Sequence, residues 1–100
     1  MKLSGAKMLF QKLRKDPSKI VVRPHAYRDH PERKFKPLEI QELVLGRGRL
    51  IDNKMASALP GSFMRRCKDL DDRDCELVIV FEGSAPGELI VVVHAFRRVE

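Results

Sequence analysis

No apolar run in this sequence approaches the ~20 residues a helix needs to cross a bilayer, so a membrane-spanning protein is not expected. Residues 1–13 alternate basic and apolar positions at helical spacing. This is not the pattern of a secretory leader, which leads to the expectation of a cytoplasmic protein. Cysteine is scarce, with only Cys67 and Cys75. Neither CxxC nor a Cys/His zinc pattern occurs, so no structural metal is expected. In a reducing compartment the two thiols stay free. Also absent are GxxxxGK[S/T], GxGxxG after a strand, a nucleophile elbow, HExxH and any telling carboxylate pair. No cofactor is therefore expected. Repeats, low-complexity tracts and linkers are missing too.

What remains is the composition of one globular domain, residues 1–100. A chain of this length buries about two-thirds of its unfolded surface and folds without staples. The formal charge is +6, unevenly spread. Residues 1–36 hold eleven Lys or Arg against three Asp or Glu, whereas residues 37–100 hold nine against eleven. A basic first third favours polyanionic partners: nucleic acid, acidic lipid or an acidic protein. The alternative is a solvated basic surface with no partner.

Ser4 is placed to cap a first helix, with Leu3 and Met8 as a hydrophobic staple. Ala6, Leu9, Phe10 and Leu13 form its buried stripe, and Asp16-Pro17 ends it. Lys19–Arg23 reads as a short edge strand. Pro24–Lys34 is polar and holds at most a short helix from His25. A second helix starts at Pro37, a favoured first position, with Ile40, Leu43 and Val44 facing inward and Gly46 after its end. Leu50–Asp52 is a short strand. Three longer strands follow, at about 62–68, 75–82 and 88–97. The Asp-rich segment 68–74 joins the first two, and Gly83–Gly87 joins the last two. Short links imply antiparallel neighbours, and a hairpin places Cys67 opposite Cys75. In the last strand simple alternation puts Ile90, Val92, His94 and Phe96 on one face and Leu89, Val91, Val93 and Ala95 on the other. Both faces are apolar, as in a central strand. The expected fold is α+β: two helices on a four- to five-stranded antiparallel sheet.

His25, Tyr27, Arg28, His30 and Arg33 form the densest polar cluster. Histidine exchanges protons near neutrality and arginine matches phosphate oxygens, which suits cleavage of RNA through its 2′-OH. An exposed polar loop is the plain alternative. Gly46-Arg47-Gly48-Arg49 reads either as a helix end and tight turn or as backbone that lets a phosphate approach. Arg47 and Arg49 are phosphate candidates in both readings. His94 interrupts a run of β-formers, as a satisfied core histidine or as a site residue. Arg65 and Arg66 point to opposite faces. Phe63 and Cys67 share the face of Arg65, which leaves Arg66 as the solvent-facing candidate.

The order helix, strand, His/Arg segment, helix and antiparallel strands resembles the RelE and BrnT toxin superfamily of small bacterial ribonucleases, nearest to an uncharacterised phage-associated branch. The residues carrying the likeness are His25-Ala26-Tyr27-Arg28, Arg33, Glu39-Ile40, Val44-Leu45 and the closing strand Leu89–Phe96. The likeness spans about residues 19–97. It departs at Pro31, which breaks a usually continuous helix, and at the 55–61 loop. The resemblance implies RNA binding with metal-independent cleavage. His25 and His94 are the implied acid–base pair and Arg28, Arg66 and Arg97 the phosphate contacts, with RNA and an acidic antitoxin-like protein as partners. The non-enzymatic alternatives are a basic binding module for RNA or an acidic protein, and a small structural homodimer.

Overall fold

The computed structural model describes residues 2–27, 35–53, 61–83 and 89–97. Helix α1 spans Leu3–Leu13 and buries Ala6, Phe10 and Leu13 at i, i+4 and i+7, with Leu9 partly buried beside them. Its start differs from expectation. The Ala6 N–H already donates to the Lys2 carbonyl, so Ser4 lies inside the first turn. Lys2 is the N-cap and makes no side-chain cap. Met8, 76% exposed, staples nothing. Asp16 instead opens the next turn, a single 3₁₀ turn at Pro17–Lys19, by accepting from the Ser18 N–H and hydroxyl. Helix α2 spans Pro37–Leu45 and buries Ile40, Leu43 and Val44, as its periodicity requires.

Strands β1 (Ile20–Val22), β2 (Gly48–Asp52), β3 (Phe63–Lys68), β4 (Asp74–Glu82) and β5 (Leu89–Arg97) form one sheet in the order β1-β5-β4-β3-β2. The pairs from β2 to β5 are antiparallel. The β1–β5 pair is parallel, matching Ile20, Val21 and Val22 with Ile90, Val91 and Val92. The sheet is thus mixed rather than purely antiparallel. The short-link rule governs only consecutive strands, and β1 pairs with the last strand after the chain has passed through both α2 and the rest of the sheet. Strand β1 is an edge and β5 an interior strand, both as expected.

Residues on one sheet face join α1, α2 and Phe35 in the main core, including Leu50, Phe63, Leu77, Ile79, Ile90, Val92 and Ala95. Met64, Val78, Val80, Val91 and Val93 form a second apolar cluster on the opposite face. A bulge explains why simple alternation in β5 fails. Val78 pairs with His94 and Ile79 with Val92, which leaves Val93 unopposed. One extra residue shifts everything beyond it to the other face. Ala95 consequently joins Ile90 and Val92 in the main core. His94 stands opposite Val78, on the face of the second cluster.

Cys67 and Cys75 are direct cross-strand partners, as the hairpin predicts. Both are free and buried. They lie in the main core on two interior strands. Burial pushes the Cys67 thiol up to about 12 and raises that of Cys75. Since the thiolate is the reactive form, native protein at pH 7.5 should resist alkylation by iodoacetamide at both sites and react quickly once unfolded. Fast labelling of the folded chain would contradict this burial. Replacing either thiol with serine should cost about 1–3 kcal/mol, the penalty for a poorly satisfied buried hydroxyl.

Candidate nucleic-acid interface

The sheet register sets charged and aromatic residues in one straight row. Arg49 of β2 pairs with Arg66 of β3, Arg66 with Glu76 of β4, and Glu76 with Phe96 of β5. All four project from the face of the second cluster, away from α1 and α2. The next row reads Ile51, Met64, Val78, His94. The polar row therefore forms the margin of an apolar face, toward the β3–β4 hairpin.

Two like charges directly opposite in an antiparallel pair destabilise it unless something compensates. Arg66 has a partial partner: Glu76 Oε1 stands 3.7 Å from its Nε, an ion-pair distance too long for a hydrogen bond. That Nε is buried and has no hydrogen-bond acceptor. No ion pair holds Arg47 or Arg49 among the described residues. With Gly48, Arg66 and Lys68 they line an open groove of about 650 Å³ at the end of β2 and β3. Asp72 and Asp74 close its far side, each 3.7 Å from Lys68 Nζ. The arginine end of the groove is thus the less compensated one, and beyond its buried Nε the Arg66 side chain is partly exposed.

His94 is half-buried rather than sealed in the core. Its ring stacks on Phe96, centroids 6.1 Å apart and planes 26° from parallel. The His25 backbone lies in the 3₁₀ turn Pro24–Ala26, which follows β1 and packs on β5. The Arg23 N–H still donates to the Val92 carbonyl, so parallel pairing brings this turn alongside the His94 stretch. The His25 side chain, Arg28, His30 and Arg33 lie outside the described residues.

Arg97 sits elsewhere. It pairs with Cys75, on the helix-bearing face. Its guanidinium donates to Glu39 Oε1 of α2 at 2.8 Å and to Asp69 Oδ2 of the hairpin at 3.4 Å, and covers the Phe35 ring at 4.1 Å. Asp69 also accepts from the Asp71 and Arg73 N–H groups and from the Arg73 guanidinium. Burial pushes its carboxyl up, but these hydrogen bonds and the Arg73 charge outweigh that and hold it below its ordinary range. Arg97 therefore ties α2, the hairpin and β5 together, on the face opposite His94.

Among the sequence-derived candidates, Arg47, Arg49 and Arg66 come together, with His94 on the same face two strands from Arg66. Sequence reasoning missed Lys68 and Glu76. Cys67 opposite Cys75 already implies Arg66 opposite Glu76, so the hairpin pattern held the signal for one of them. Among the described residues no helix is long and apolar enough to cross a membrane, and no group of three or more His, Cys, Asp or Glu is placed to hold a metal ion. The chain matches no protein-family model, no curated protein and no solved structure.

Proposed function

We propose that this protein binds RNA along the Arg47, Arg49, Arg66 and Lys68 margin of the sheet. The observation that supports it most is the Arg49–Arg66 opposition, which Glu76 relieves only in part from 3.7 Å. A phosphate there accepts from Arg66 and screens the two like charges, so binding repairs what folding leaves open.

Phosphate contacts by lysine and arginine make affinity fall steeply with salt, with a log–log slope of about −0.7 per phosphate on single strands. Arg49→Gln and Arg66→Gln should each weaken binding across sequences and reduce the slope by about 0.7. Affinity that stays level from low to physiological salt, or is indifferent to both substitutions, would refute the reading.

Cleavage of the bound RNA, as in a toxin-like ribonuclease, is the second reading. The parallel β1–β5 pairing favours it, because it sets the turn carrying His25 beside the strand carrying His94. Two histidines can share the base and acid roles, each contributing ~10²–10⁴-fold. His94→Ala should then remove most cleavage while leaving RNA affinity within a few-fold. Full turnover by that variant would leave a binding module only.

A further inference from the structure

The groove does not end at the sheet edge. Strand β2 is the edge strand beside β3, and α1 packs against it from the helix side. Two contacts fix which flank of α1 faces that edge. Leu3 lines a hollow with Ile51 and Asp52 at one end of β2. Arg14 Nη1 donates to the Gly46 carbonyl at 3.3 Å, just before Arg47, at the other. On a helix, residues 3, 7 and 14 share a flank, with 11 next to it on the outer side. Lys7 is exposed, and Arg14 is held in place by Gly46 and by the Phe10 ring, 5.9 Å from its Cζ. No acidic residue occurs before Asp16.

Lys7 and Arg14 therefore lie on the flank of α1 turned to the same strand whose other side carries Arg49. Arg47 joins the two, one residue beyond Gly46. We infer that the RNA site continues around the β2 edge onto this flank of α1, so that one strand of RNA contacts both sides of the sheet. The occupant is a polyanionic chain because Arg49, Arg47, Arg14 and Lys7 follow one another around the edge, whereas a small anion would need only the groove. This rests on the RNA-binding reading above and extends its footprint.

The test compares Lys7→Gln with Lys12→Gln, a change of the same chemistry on the far flank of the same helix. Both lysines are exposed, so the fold is retained. Binding is measured by anisotropy against salt, with labelled single-stranded RNAs of about four and about twelve nucleotides, within the usual range of site sizes. Lys7→Gln should lower the salt slope for the longer RNA by about 0.7. It should leave the short RNA bound as by wild type, and Lys12→Gln should barely change either. If Lys7→Gln matches Lys12→Gln while Arg49→Gln and Arg66→Gln still weaken binding, the extension is wrong and the groove stands. If wild type binds neither RNA at low salt, the RNA reading itself fails.

Discussion

Arg65→Ala should cost about 3–5 kcal/mol of stability, more than any charge removed from the surface. Arg65 is 1% exposed, in the middle of the core. Its Nε donates to the Leu43 carbonyl at 3.1 Å and its Nη2 to the Gly46 carbonyl at 2.5 Å. The last carbonyls of a helix have no partner within the helix, and a cation placed there also meets the negative end of the helix dipole. Arg65 thus caps α2 from a neighbouring strand while its guanidinium packs on the Phe10 ring of α1, 4.8 Å from the centroid. Burial pulls it down from its ordinary value to about 10, so it stays charged at neutral pH, with no carboxylate partner among the described residues. Alanine removes two charge-assisted hydrogen bonds at ~1.5–3 kcal/mol each and leaves a cavity. Relief of the buried charge offsets part of this. Arg65→Met, which keeps most of the volume, should cost about half as much. Urea unfolding at pH 7 measures both, and a loss below ~1 kcal/mol for Arg65→Ala would show that water caps the helix equally well.

Gly48→Ala should cost about 2–3 kcal/mol and also weaken RNA binding. A Cβ there would lie 2.5 Å from the Arg66 carbonyl oxygen, 2.9 Å from Cys67 Cβ and 3.0 Å from Arg65 Cζ. The first two are a backbone atom and the root of a core side chain, and neither can swing away. The penalty is therefore overpacking. Relief requires β2 to move off β3, which would part Arg49 from Arg66 and expose the Arg65 cap. Thermal unfolding reports the first effect, at ~4–8 °C per kcal/mol for a domain of this size, and RNA affinity reports the second. A variant as stable as wild type would mean that the strands sit farther apart than described.

Local pattern carried much of this fold. Pro37, Ile40, Leu43 and Val44 define α2 by spacing alone, and the Cys67–Cys75 pairing sets the β3–β4 register. Other features depend on contacts that no local pattern encodes. The parallel β1–β5 pair joins segments 70 residues apart, as the register of Ile20 with Ile90 shows. The bulge at Val93 has no glycine to announce it. Ser4 reads as a cap, yet the helix starts at Leu3. The site divides in the same way. Arg47, Arg49 and Arg66 meet because adjacent strands carry them. Arg97 follows His94 by three, an odd step that places it on the other face, and Glu39 and Asp69 draw it into the scaffold. Its role in phosphate binding, implied by resemblance, would require breaking both ion pairs.

The central claim is that RNA occupies the cationic margin at β2 and β3. Its most direct test is a backbone-amide NMR titration with a short single-stranded RNA at low salt, well suited to a chain of 100 residues. Binding at that margin predicts shifts concentrated at residues 47–49 and 66–68, weaker ones at Glu76 and Phe96, and their loss in Arg49→Gln/Arg66→Gln. Shifts centred instead on α2 and the hairpin around Asp69–Arg73, or none at all at low salt, would contradict it.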